Sequence, residues 1–287
     1  MDSRLTFREK CPSVCWQKQL RDKYLDEGVP DVNLDLKKSF VRSVSRKTAE
    51  QIIYKYEWLG TMGAGVERSY GIFFGNYCAG VTTFANSGAI PALVKTFHLT
   101  SPEVTYLTRG ACTHWAPKGT NSKLISISCL MEGKAGKKIV IAFADSDAGE
   151  VGTVYQASNW IYIGKGNSWF QWVSPFGKIL SNNSLTSRRS NYNCRMKDLE
   201  RGLIATGWAK QWSNPKGRYV YILDKKDHAL RKIVESMRQP YPKRKLRGGS
   251  DTVDTAGVHP AEGGSTPTPP LHSSEGSVEP ALEMSNS

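Results

Sequence analysis

The stretch IVIAFADSDAGEVGTVYQASNWIYIGK, residues 139–165, reads as a strand, a sharp polar turn, a short helix and a second strand. Residues 139–144 form a nearly continuous apolar run, the pattern of a strand buried on both faces. The run stops at Asp145. Ser146, Asp147, Ala148 and Gly149 supply the turn, Gly152 and Thr153 open a helix carrying Val154, Tyr155 and Ala157, and residues 160–163 resume a strand-like pattern. A strand's carboxyl end and a helix's first turn therefore converge on Asp145 and Tyr155, where open α/β sheets usually place ligands.

Working outward, residues 40–44 read as a short strand. Ser45 then caps a helix with Ile52, Ile53, Tyr56 and Leu59 on one face and Gly60 at its end. Residues 70–74 and 78–84 flank Gly75-Asn76-Tyr77 as a β-hairpin. Residues 104–112 give another strand, and the following loop feeds a helix carrying Leu124, Ile125, Ser128, Cys129 and Leu130, with Asn121 or Ser122 as N-cap. Residues 218–223 supply a last strand after a polar and aromatic insertion. This order predicts an α/β fold, a mixed central sheet flanked by helices in one layered domain. Residues 1–38 read as an extension outside it, with one helix around Trp16 to Leu25. The main domain covers 39–247, with the basic and aromatic insertion at 166–217. Residues 248–287 read as a disordered acidic tail, because their Gly, Ser, Thr and Pro content cannot build a core.

The whole chain holds 39 Lys and Arg against 26 Asp and Glu. Six of those acids and none of the bases fall in the tail, so residues 1–247 carry 39 basic and 20 acidic groups, a formal charge of +19. Such an excess points to an anionic partner, a polyphosphate backbone being the commonest; plain solubility is the other explanation. The acidic tail behind Lys243-Arg244-Lys245 could fold back and compete with nucleic acid. Six cysteines lack a disulfide framework, and Cys11 and Cys15 have no second Cys or His pair at zinc-ribbon spacing. His98, His114 and Cys112 have no diagnostic metal spacing, so no metal is assigned and none is excluded. No stretch approaches the roughly 20 apolar residues of a membrane span, and the N-terminus lacks a signal-peptide core, so a cytoplasmic protein without membrane partners is expected.

Four motifs sit at strand ends or helix starts: Leu107-Thr108-Arg109-Gly110, Asn121-Ser122-Lys123-Leu124-Ile125, Ala142-Phe143-Ala144-Asp145, and Gly152-Thr153-Val154-Tyr155-Gln156-Ala157-Ser158. The element order resembles the GNAT acyltransferase fold over residues 39–223. The motifs, the last continued by Asn159-Trp160, resemble the Mom family of phage DNA-modification proteins, which have a GNAT-like fold and modify the exocyclic amino group of adenine. The resemblance implies a transferase that places an acyl-type, methylcarbamoyl-like group on adenine N6 in double-stranded DNA and protects phage DNA from host restriction. It also implies that the functional residues are Arg109, Ser122, Asp145 and Tyr155. Acetyltransferases hold the coenzyme A pyrophosphate on a glycine-rich loop at a helix N-terminus. Here the corresponding loop reads Pro117-Lys118-Gly119-Thr120-Asn121-Ser122, so Lys118, Gly119 and Asn121 are the candidate donor contacts, and the donor is acetyl-CoA or another activated acyl compound.

Each candidate has a chemical and a structural role open to it. Asp145 could accept a proton from the adenine amino group, or cap the turn. Tyr155 could donate a proton to a leaving group or hold an acyl oxygen, or be a core tyrosine. Arg109, a permanent charge among apolar neighbours, needs an anion, either substrate or a carboxylate such as Asp145. Ser122 could contact substrate, cap its helix, or both. In the insertion, Trp169 and Trp172 could stack an extruded base or form an aromatic core, while Arg188, Arg189, Arg195 and Lys197 would serve phosphates. A GNAT acyltransferase acting on a protein or small molecule, and a non-catalytic nucleic-acid-binding module, are the competing functions.

Overall fold

The apolar run at 139–144 is the centre of the sheet. A computed structural model describes residues 15–63, 65–86, 90–176, 179–181, 185 and 193–243. In chain order the strands are β1 (Phe40–Ser43), β2 (Val66–Phe74), β3 (Tyr77–Asn86), β4 (Val104–Cys112), β5 (Ile139–Ala144), β6 (Ile161–Lys165), β7 (Phe170–Val173), β8 (Ile179–Ser181), β9 (Ala209–Trp212) and β10 (Gly217–Ile222). Seven of them make one mixed sheet in the order β1-β2-β3-β4-β5-β10-β6. Every neighbouring pair is antiparallel except β4 with β5, which is parallel. This is the GNAT-like architecture that the sequence predicts.

Both faces of the sheet are covered, which is why β5 reads as an unbroken apolar run. Ile139 and Ile141 join Val104, Ile163 and Val220 in one cluster, under α3 (Pro91–Thr96) and the carboxyl-terminal helix His228–Ser236 through Val94, Leu230 and Val234. Val140 and Ala142 point the other way, onto Tyr219, Trp160 and the Ile125 and Cys129 side chains of α4 (Thr120–Lys134). Helix α2 (Arg46–Tyr56) closes the β3–β4 side with Ala49 and Ile53.

Pairing between β4 and β5 runs only from Val104–Ile139 to Leu107–Ala142. Beyond that, β4 stays with β3 through Arg109 to Cys112, and the last residues of β5, Phe143 and Ala144, pair with β10. The sheet therefore opens between two strand carboxyl ends, and the Leu107–Gly110 and Ala142–Asp145 motifs border the opening.

Several boundaries differ from the sequence reading. Ser45 does cap α2, accepting from Thr48 N, but the helix ends at Tyr56, before Gly60, because Glu57 already has extended backbone. Helix α4 begins at Thr120 behind Gly119, not behind Asn121 or Ser122. Gly119 takes a positive φ of 91°, which glycine adopts without a steric penalty, and the Thr120 hydroxyl donates to the Pro117 carbonyl at 2.7 Å. Helix α3 carries too short a periodic pattern to be read from sequence. Helix α1 (Trp16–Asp22) is attached to the main body, not outside it: Trp16 is buried against Trp58 and Ala148. The insertion builds a second sheet, β8-β7-β9, packed by the helix Met196–Ala205. The acidic tail lies outside the described residues.

Candidate active site

Gly152 fixes the short helix α5 (Thr153–Ala157) against the sheet. It has a φ of 68°, and a Cβ there would lie 2.4 Å from the Tyr219 ring. The Tyr219 hydroxyl donates to the Val151 carbonyl at 2.7 Å, which holds the same turn. Tyr155, one turn into the helix, lies with its ring 5.0 Å from Trp160 and 5.1 Å from Tyr219. Burial is the main cause that pushes its pKa up, and the charges of Glu150 and Glu57 push the same way. Tyr155 is thereby kept protonated, a hydrogen-bond donor rather than a base.

Asp145 ends β5 and caps the 3-10 turn Ser146–Ala148, its Oδ1 accepting from Asp147 N at 3.0 Å. Its Oδ2 lies 2.8 Å from the Lys216 ammonium. Lys216, not Arg109, is its cation. The Arg109 guanidinium instead sits 3.8 Å from Glu57 and donates to the Thr61 and Thr108 carbonyls at 2.9 and 2.7 Å.

Two carboxylates unremarked in the sequence complete the cluster. Glu150 accepts from Asp145 N at 3.0 Å and from the Trp58 indole at 3.1 Å, and burial raises its pKa. Glu57 is 5 % exposed and accepts from Leu59 N and Gly60 N. Burial, opposed by Arg109 and reinforced by Glu150, lifts its pKa to about 7. A buried acid whose pKa is lifted to about 7 is suited to proton transfer. Glu150 lies five residues after Asp145 in the decisive stretch, so its position carried a signal. Glu57 carried none, because only the packing of α2 against β4 brings it to Arg109.

The other candidates fall elsewhere. Ser122 and Asn121 occupy the first turn of α4, and Asn121 Oδ1 is buried with no hydrogen-bond partner. Lys118 and Gly119 precede that turn. No glycine cradle forms there: a Cβ on Gly119 would lie 3.1 Å from Leu36, and Lys123 is bonded to the Leu36 and Ser39 carbonyls at 2.6 and 2.7 Å. The loop does not fit a coenzyme A pyrophosphate. Trp172 is 2 % exposed, in a core with Leu180 and Leu185, so it is not a surface ring; Trp169 is 67 % exposed. Arg195 pairs with Asp198 at 3.0 Å, and Lys197 is exposed. Arg188 and Arg189 lie outside the described residues. His114 bonds the Tyr56 hydroxyl at 3.0 Å and the Glu27 carbonyl at 2.7 Å. Among the described residues no three His, Cys, Asp or Glu side chains group as a metal site, and no helix is long and apolar enough to cross a membrane.

The split seven-stranded sheet gives the chain a fold of the GNAT-like class. Within that class the chain belongs to the Mom protein family, whose sequence model matches residues 38–243. Comparison with curated proteins finds no match. Among solved structures the chain is similar to FeeM, an N-acyl amino acid synthase from uncultured soil microbes, at 11 % identity and a TM-score of 0.38, covering 65 % of this chain and 92 % of that one. It is also similar to yncA of Salmonella typhimurium, held with acetyl-CoA, at 11 % identity and a TM-score of 0.39, covering 66 % and 95 %. A Bacillus subtilis acetyltransferase in complex with CoA follows at 9 % and 0.37, covering 64 % and 97 %. These likenesses are distant and say nothing of chemistry.

Proposed function

We propose that this protein transfers an acyl-type, methylcarbamoyl-like group to the N6 amino group of adenine in double-stranded DNA, and so shields phage DNA from host restriction. Family membership supports this function. The observation that carries it is Glu150, which ties two of the motifs together: it accepts from Asp145 N at 3.0 Å, and its charge adds to the burial that raises the Tyr155 pKa. The net charge of the chain suits a phosphate polymer.

The adenine amino group is a poor nucleophile, its lone pair delocalised into the ring, and inside a duplex it is out of reach, so the base must be extruded. The nitrogen then attacks the acyl carbon of an activated donor. An N–C bond forms, the bond from the acyl carbon to the leaving group breaks, and the amino proton passes to a carboxylate. Asp145 is that carboxylate in the proposed order of events, its ion pair with the half-exposed Lys216 opening to free Oδ2, with Glu150 bonded to its backbone N. Tyr155 donates its proton to the leaving group and recovers one from the carboxylate, so that the amino proton ends on the leaving group. The test is digestion of plasmid DNA from expressing cells with restriction endonucleases whose sites contain adenine and with others whose sites lack it. Resistance confined to adenine-containing sites is expected. Equal cutting of both sets contradicts the proposal.

A further inference from the structure

The insertion carries an aromatic surface of its own, and its attachment to the main sheet fixes where that surface lies. Across β7 and β9, Phe170 stands opposite Trp212, and Trp172 opposite Lys210. Residues opposed in this way share a face. The helix Met196–Ala205 covers the Trp172 half of it through Met196, Leu199 and Leu203. At the other half Trp212 is 58 % exposed, its ring centroid 3.6 Å from that of Phe170, with the Lys210 ammonium 5.0 Å from the Phe170 ring. Trp169, next in the chain to Phe170 and opposite Ser213, is also exposed but by strand alternation belongs to the other face.

This end of the small sheet is bound to the turn that carries Asp145. Ser213 donates through its N–H and its hydroxyl to the Trp169 carbonyl, at 2.8 and 2.9 Å. Asn214 then grips the Asp147 carboxylate twice, through its backbone N at 3.1 Å and its side-chain Nδ2 at 2.5 Å. Lys216 reaches Asp145 itself. Trp212 lies two residues from Asn214, a span of at most about 7 Å. The backbone of Trp212 therefore lies close to the turn of the candidate site.

Residues 166–217 hold eight Lys and Arg against two acids, which suits an anionic polymer. Flat exposed rings beside a cation suit the faces of nucleobases, and a paired duplex hides those faces. They are offered only where bases are unstacked, as at an extruded adenine. Resting on the DNA-modifying function above, we propose that the exposed Trp212 ring, backed by Phe170 and flanked by Lys210, is a stacking platform for unpaired nucleotides beside the Asp145 turn.

The test is fluorescence anisotropy with three labelled DNA probes of roughly 20 nucleotides, longer than common site sizes: a single strand, its matched duplex, and a duplex with one mismatched adenine. The full chain is compared with Trp169→Ala, Trp212→Ala and Trp212→Phe. Both tryptophans are exposed, so their loss leaves the cores intact. Wild type should prefer the single strand and the mismatch, Trp212→Ala should bind those two about tenfold more weakly, Trp169→Ala on the other face should bind them as wild type does, and Trp212→Phe should keep most of the affinity. Equal wild-type affinity for all three probes, or a Trp212→Ala variant that binds as wild type does, overturns the platform and leaves the DNA-modifying function standing. Failure of wild type to bind any of the probes overturns both.

Discussion

Replacing Glu57 with Gln should make the protein more stable at alkaline pH and not at acid pH. Glu57 is buried, and its pKa in the folded chain is about 7 against 4.5 for an unperturbed glutamate. A raised carboxylate pKa means that the folded state binds the proton more tightly than the unfolded state. Stability from this group is therefore fully present below about pH 4.5 and is lost as pH rises towards 7. At about 1.4 kcal/mol per pKa unit, the shift corresponds to roughly 3 kcal/mol of strain once the carboxylate is ionised. Glutamine keeps an acceptor oxygen for Leu59 N and Gly60 N but does not titrate. The attraction of Arg109 at 3.8 Å acts only on the ionised carboxylate and is already contained in the value of about 7, so it adds no separate penalty. Urea unfolding of both proteins at pH 4 and pH 8.5 measures the effect. Between these conditions the stability difference should move by roughly 3 kcal/mol in favour of the variant. Glu150 shifts in the same direction but is present in both proteins, so the difference reports Glu57. A difference that changes by less than about 0.5 kcal/mol would refute the burial argument.

Glu132 is fully buried and accepts from Arg68 at 2.7 and 2.9 Å and from Tyr70 at 2.7 Å, so Glu132→Ala should cost about 2–3 kcal/mol in chemical unfolding by leaving the buried Tyr70 hydroxyl without an acceptor, while Arg68 keeps Glu67 at 3.2 Å. Gly152→Ala forces a Cβ onto the Tyr219 ring at a positive φ, and should lower the melting temperature and abolish DNA modification together. Asn214→Ala should cut the modification rate about tenfold or more while DNA affinity in anisotropy stays within about twofold, because it frees the Asp147 turn without removing a surface cation; equal loss of both would show that Asn214 touches DNA.

The main sheet was legible because its signals are local. Residues 139–144 needed two covered faces, and Gly152 with Tyr155 marked a helix start close to a strand end. The partners of those residues were not legible. Arg109 meets Glu57 and Asp145 meets Lys216 only after α2 and the β9–β10 connection have folded onto the sheet, at sequence separations that no periodicity reports. The insertion shows the same limit. Trp169 and Trp172 both read as candidate surface rings, but the helix Met196–Ala205 buries Trp172, and Trp212 takes the exposed place. The start of α4 was misread because a side-chain cap was expected where Gly119 supplies backbone geometry instead.

Nucleoside mass spectrometry of plasmid DNA from cells expressing the wild-type chain, Asp145→Asn and Tyr155→Phe tests the proposed chemistry most directly. A heavier deoxyadenosine is expected with wild type and should be absent or strongly reduced with either variant, and its mass increment identifies the transferred group. Unmodified deoxyadenosine with soluble wild-type protein, or equal modification by all three chains, would contradict the assignment of DNA adenine as acceptor or of Asp145 and Tyr155 as the groups that act on it.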